Sequence, residues 1–334
     1  MISCIQNSSA FYERNEPTTR AMSRGTPTAS SRIGDSGRAH VGLSLHIDWR
    51  TADGFQLWPV SNCPAFNSRI AMTAVAFPTS QAPAFHRPPS KILQLLELRA
   101  FSEFAASLAL LPLLRTAPRG DGHPVLVLPG LIASDTSTAP LRAYLKDRGY
   151  EVHGWGLGRN LGLRAGLEAK MQTRLREIHR QSRRRISIVG WSLGGVFARE
   201  IASAVPDAVR TVITLGSPIQ GDPRSTNAWR VYELASGQSV DDPKLRRRRQ
   251  AAPPVPTTSI YSRTDGIVAW RCSVEQPSEH KESIEVSGSH CGLGVNPSVL
   301  YAIADRLAQP EGEWRHFDRS GLRGWLFPDP SRRD

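Results

Sequence analysis

Cysteine and lysine are both scarce in this sequence of 334 residues, and each shortage narrows what the chain can be. The four cysteines, Cys4, Cys63, Cys272 and Cys291, form no C-x-x-C pair and keep no metal-ligand spacing with histidine, so no zinc or other metal site is expected. No run of about 18 apolar residues occurs, which leaves a membrane-spanning helix without support. The N-terminus lacks a basic segment leading into an apolar core, so no secretory signal is read there and a cytoplasmic location is expected. With so little lysine, the net charge of +12 rests on arginine. The arginines fall in short scattered runs, such as 183–185 and 246–249, without interleaved aromatics. That is the pattern of solvated faces; no recognition module is present, and nucleic acid is not an expected partner.

What remains is enough for one large domain. Hydrophobic residues make up 40% of the chain, an ordinary share for a packed core. Residues 1–88 are rich in Ser, Thr, Arg, Pro and Gly and hold neither helical nor strand period for long, so a disordered or loosely packed extension is expected there. A start of translation at Met72 is the other reading of that region. Ser90 is placed to cap a helix from Lys91. The segment from Lys91 to Pro112 carries Ile92, Leu95, Leu96, Ala100, Phe104 and Leu108 among Glu97, Arg99 and Glu103. The first expectation is a helix packed on the domain by its apolar stripe. The nearly all-round apolar second half keeps a lid-like or membrane-surface helix open as the alternative.

From residue 124 to 308, strand and helix patterns alternate. Val125–Leu128, Tyr150–Trp155, Ile186–Val189, Val209–Leu215, Thr257–Ser262 and Ser283–Val286 read as strands, several of them continuous apolar runs. Helices are expected between them, with Pro140 and Pro297 near two helix starts and Leu163, Leu167, Met171, Leu175 and Ile178 recurring at helical spacing. Such alternation implies a doubly wound, mostly parallel sheet. Gly156-Leu157-Gly158 lacks the G-x-G-x-x-G spacing of a dinucleotide cradle, and no cofactor is expected. The tail beyond Pro310 has no period and is expected to pack on the surface.

One stretch organises the rest. Arg185–Glu200 reads RISIVGWSLGGVFARE: a strand of β-branched residues, then Gly190-Trp191-Ser192-Leu193-Gly194, then a helix. G-x-S-x-G holds a serine on a sharp strand-to-helix turn, with glycine two positions either side because a Cβ would collide there. The turn lifts the hydroxyl clear of the sheet and sets the Leu193 NH beside any developing negative charge. With this setting the chain resembles the α/β-hydrolase family, and Thr214-Leu215-Gly216-Ser217-Pro218 is similar to the strand exit of its lipase-like members. The resemblance implies an α/β-hydrolase domain over residues 89–334 with a short lid-like insertion at about 219–256. It also implies a second oxyanion NH in the loop after the first strand, which by position is that of Leu131. That loop reads Pro129-Gly130 where the family usually has His-Gly.

Ser192, Asp265 and His290 each follow a predicted strand and so reach the same sheet edge, in the chain order nucleophile, acid, histidine that the family uses. A serine needs a base to take its proton, and imidazole is the side chain that titrates near neutrality. A carboxylate on its far nitrogen fixes the tautomer and stabilises the cation. Asp222, after the preceding strand, is the competing acid. His280, His123 and His153 are less well placed than His290. Cys272 and Cys291 flank the acid and histidine loops; two free thiols are expected, with a disulfide between them as the sharper alternative. The expected activity is serine-dependent cleavage of a small-molecule ester or acyl substrate, esterase or lipase-like. Acyl transfer or thioester cleavage on the same fold is the alternative, and a non-catalytic binding protein the third reading.

Overall fold

Pro124–Leu128 (β1) is buried at every position, and the reason lies on either side of it. Val125 and Val127 enter one apolar layer with Leu141, Leu145, Val299 and Ile303; Leu126 and Leu128 enter another with Leu175, Ile178, Phe197 and Ile201. Side chains alternate along a strand, so a strand covered by helices on both faces must be apolar throughout. The computed structural model describes residues 85–242, 252–321 and 323–330. All of these belong to the second of the chain's two units, Ala76–Asp334. Most of the expected N-terminal extension, the arginine run 246–249 and part of the expected lid segment lie outside the described residues.

The remaining strands are Glu151–Gly154 (β2), Ile186–Trp191 (β3), Val209–Leu215 (β4), Thr257–Ser262 (β5) and Lys281–Val286 (β6). They form one sheet in the order β2-β1-β3-β4-β5-β6, every neighbouring pair parallel. The chain leaves β1 to one side and returns on the other, so the carboxyl ends of β1 and β3 flank the switch point where this architecture opens a crevice.

Before the sheet come Lys91–Leu95 (α1), a 3₁₀ turn Leu96–Arg99, Ala100–Ala109 (α2) and Leu111–Leu114 (α3). Ala139–Asp147 (α4), Leu167–Ser182 (α5), Leu193–Ala204 (α6), Trp229–Ser236 (α7), Pro297–Leu307 (α8) and Arg323–Leu326 (α9) follow. α4 and α8 cover one face, α5 and α6 the other. Ser90 caps α1, its hydroxyl accepting the Leu93 NH at 3.3 Å.

Three expectations need correction. The helix after Ser90 packs on the domain, but not by its apolar stripe: Ile92, Leu95, Leu96, Phe104 and Leu108 are exposed, while Glu97 and Ser107 are buried. The cause is a set of backbone NH groups beneath the helix that the Glu97 and Glu103 carboxylates accept, described below. In the tail, Phe317 and Phe327 are buried in the first core layer rather than lying on the surface. Not all arginines are solvated: Arg199 is buried against Glu275, and Arg306 against Glu282 at 2.8 Å. Such guanidinium groups are tolerated inside because each is paired.

Candidate active site

Ser192 joins β3 to α6 with φ 54° and ψ −121°, a left-handed conformation for a residue with a side chain. That costs on the order of 1–3 kcal/mol and survives only where the surroundings over-determine it. Here the Ser192 NH donates to the Leu215 carbonyl at 2.8 Å, and the Gly195 NH returns to the Ser192 carbonyl at 3.0 Å. A Cβ on Gly194 would stand 2.5 Å from the Leu128 carbonyl oxygen, and one on Gly190 would run into the backbone of Gly194 and Gly195. The two glycines are there because backbone occupies the space.

Asp265, three residues beyond β5, and His290, four beyond β6, are both buried and bonded to one another, Nδ1 to Oδ2 at 2.7 Å. The other carboxylate oxygen, Oδ1, accepts the NH groups of Ile267 at 2.8 Å and Val268 at 2.7 Å, which fixes the carboxylate plane. Burial alone would favour neutral imidazole, but the Asp265 carboxylate, with Glu97 behind it, outweighs burial and holds the His290 pKa above the ordinary histidine value. The pair meets the serine turn through Gly216, which follows the Leu215 that accepts the Ser192 NH. A Cβ on Gly216 would lie 3.0 Å from Asp265 Oδ2 and 3.1 Å from His290 Nδ1. Trp191 Nε1 also donates to the His290 carbonyl at 3.1 Å, tying the residue before the serine to the histidine loop. Asp222 does not take the acid's place; it caps a short 3₁₀ turn by accepting the Arg224 NH at 2.7 Å.

Sequence reasoning missed what lies behind this pair. The Glu97 carboxylate accepts the NH of Gly266 at 2.7 Å, of His290 at 3.0 Å and of Cys291 at 2.7 Å. It thereby joins the acid loop to the histidine loop. Glu103 accepts the Ser289 NH at 2.7 Å and the Asn296 amide at 3.1 Å. Arg99 donates to the carbonyls of Thr264 at 2.5 Å and Gly288 at 2.9 Å. Gly266 can take this place because a Cβ there would strike the Leu93 carbonyl. The available signal was the pair of carboxylates set in an otherwise apolar helix, since acids are buried only where they are paired.

The loop after β1 is equally constrained. Gly130 lies against the nucleophile turn: a Cβ there would be 3.3 Å from Ser192 Cβ. Ile132 has φ 57°, and its NH donates to the Asn160 carbonyl at 2.6 Å. Asn160, fully buried, donates from Nδ2 to the Pro129 carbonyl at 2.8 Å and accepts the Gly162 NH at 3.1 Å. Among the described residues neither the Leu131 NH nor the Leu193 NH has a protein acceptor. Leu193 opens α6, where a first-turn NH has no intrahelical partner. Asn160→Ala is expected to loosen the Leu131 amide and lower kcat about tenfold with KM little changed, measured by steady-state kinetics on a soluble ester. An unchanged kcat would remove Asn160 from the argument.

Ser192, Leu131 and Leu193 open onto an apolar pocket whose other walls include Val196, Trp229, Tyr232, Val240 and Val268. Trp229 and Tyr232 belong to α7, so the described part of the expected lid segment forms one wall. Cys272 and Cys291 are free thiols. The Cys291 thiol is pushed up to about 12 by burial and the Glu97 carboxylate beside it, so it is no thiolate nucleophile near neutrality. A second Ser–His–Asp grouping occupies the opposite end of the sheet. His123 contacts Asp121 at 2.5 Å and Ser187 at 2.8 Å, and is completely buried. Burial, aided by the charges of Arg210 and Arg184, outweighs the Asp121 carboxylate and lowers the His123 pKa.

The family model described as palmitoyl protein thioesterase matches residues 124–255, somewhat under half of the chain. Among solved structures, lipase B of Aspergillus fumigatus is similar at 17% identity, over 59% of this chain and 56% of its own, with a TM-score of 0.45. This chain thus spans little more than half the length of that enzyme. A mature lipase from Bacillus licheniformis is similar at 17% identity over 56% of this chain and 92% of its own, with a TM-score of 0.41. The thioesterase domain from the curacin biosynthetic pathway gives 14%, 57% and 91%, with a TM-score of 0.35. No curated protein matches the sequence significantly. The parallel strand order with flanking helices and the serine turn after β3 give the domain the α/β-hydrolase fold, and the family match over residues 124–255 lies within it.

Proposed function

We propose that the protein is a serine hydrolase that cleaves carboxylic esters through an acyl-enzyme, with Ser192, His290 and Asp265 as its triad. The observation that carries this is the buried His290–Asp265 pair beside a serine held in a strained turn. In the first half-reaction Ser192 Oγ attacks the acyl carbonyl while its proton passes to His290 Nε2. The resulting oxyanion is received by the NH groups of Leu193 and Leu131. Collapse expels the alcohol, which takes the proton from His290, and water repeats the sequence to release the acid. Asp265 fixes the tautomer that leaves Nε2 free and stabilises the imidazolium.

The pocket chemistry favours an acyl chain. Leu131, Leu193, Val196 and Val268 present hydrocarbon next to Ser192, and Trp229 and Tyr232 close the far side. A fatty acyl group would bury its methylenes there at about 0.8 kcal/mol each. A thioester as the scissile bond is the second reading, favoured by the palmitoyl protein thioesterase match. The test is a ladder of nitrophenyl esters and matched acyl thioesters of rising chain length. We expect kcat/KM to climb by up to about 15-fold per added pair of methylenes until the pocket is filled. A flat profile would exclude the acyl pocket, and a preference for thioesters at every length would make the second reading the activity.

A further inference from the structure

We propose that the outward face of α1, α2 and the turn between them docks on an anionic lipid surface. A helix on a water-soluble domain turns its apolar residues inward. This one is reversed: Ile92, Leu95, Leu98 and Phe101 are each between 67% and 77% exposed, because Glu97, Glu103 and Arg99 occupy the inward side as ligands of the two active-site loops. The apolar surface continues along α3. Leu110 and Leu113 line one cavity with Leu326 of α9, and Trp325 beside it is 87% exposed. Contiguous apolar surface of this kind marks an interaction site. Among the described residues no helix is long and apolar enough to cross a membrane, so the geometry is that of a segment lying on a surface.

Charge selects the occupant. Between residues 85 and 119 the exposed charged side chains are Arg87, Lys91, Arg115 and Arg119, all cationic, because both carboxylates of the segment are turned into the domain. Arg115 is paired with the exposed Asp147 at 3.7 Å, which leaves Arg87 and Lys91 as the cations bordering the α1 face, a border that fits acyl chains beneath anionic headgroups. A second copy of the chain would set Arg87 and Lys91 against themselves, with both carboxylates of residues 85–119 turned inward. Residues 1–84 hold seven arginines against five carboxylates and no lysine, so they supply no anionic complement either. This inference does not depend on the reaction proposed above.

The experiment is flotation of the full chain with phosphatidylcholine vesicles, with and without phosphatidylserine, at low and high salt. Binding is expected with phosphatidylserine present and is expected to weaken as salt rises. The quadruple variant Ile92→Ser, Leu95→Ser, Leu98→Ser, Phe101→Ser should bind at least about tenfold more weakly while its thermal unfolding midpoint holds, since all four side chains already face water. Lys91→Glu with Arg87→Glu should abolish the preference for phosphatidylserine. Undiminished binding by the quadruple variant overturns the proposal. So does a full chain that ignores vesicles, whether it forms a dimer that the variant dissolves or cross-links the face to residues 1–84.

Discussion

Ser192→Ala is expected to abolish labelling by a fluorophosphonate and to lower ester turnover roughly 10⁴- to 10⁶-fold, with the protein still folded. The size follows from the proposed mechanism, in which the side chain supplies the oxygen that bonds to the acyl carbon and no neighbour stands in for it. Cys291 cannot, because its thiol stays protonated near neutral pH. Removing Oγ also relieves nothing in the backbone, because alanine has a Cβ and must adopt the same φ of 54°. Unfolding should therefore be little changed, and intact-mass analysis after labelling separates loss of the nucleophile from loss of the fold. Undiminished turnover in this variant would end the proposed mechanism.

Glu97→Gln is expected to reduce kcat about 10- to 100-fold with little change in KM, and to move the acid limb of the pH–rate profile downward. In the variant one oxygen can still receive the NH groups of Gly266 and His290, but the amide NH₂ then faces the Cys291 NH, donor against donor. Losing a hydrogen bond to a charged group and leaving a buried donor unpaired each cost about 1–3 kcal/mol, spent here on the loop that aims the imidazole. The pH shift has its own sign. In the proposed mechanism activity needs neutral His290, so it should fall as pH drops through the His290 pKa, which stands above the ordinary value. Glu97 contributes negative charge to that elevation, and neutralising it lowers the pKa and carries the limb with it. A residue with a merely structural part would lower the unfolding midpoint and leave the limb in place. That result would remove Glu97 as a positioning residue.

How much of this was readable beforehand depends on whether the signal was local. β1 was legible within a residue because a strand covered on both faces carries an unbroken apolar run, and β4 and β5 because they are rich in β-branched and aromatic residues between turn signals. The serine turn was legible because Gly190 answers a steric demand made by the backbone four and five positions away, although the demand on Gly194 comes from the distant carbonyls of Leu128 and Pro129. Asp265 could be preferred to Asp222 from its nearness to a strand end. Glu97 could not be found that way: its partners lie 169 to 194 positions along the chain. An amphipathic pattern reports only how a helix divides apolar from polar residues, and the usual inference that the apolar side faces inward fails when the polar side carries the bonds. Asn160 escaped notice for the same reason, its carbonyl partner at Pro129 being 31 positions away.

Asp121, His123 and Ser187 carry a last consequence. They repeat the composition of Ser192, His290 and Asp265 at the amino ends of β1 and β3, yet Ser187 lies inside a strand with its hydroxyl sealed from solvent. No electrophile can approach it, and its imidazole is tuned to refuse a proton rather than accept one. Reactivity in this fold is therefore a property of where the chain bends, and the same three side chains laid along a straight segment become a rivet.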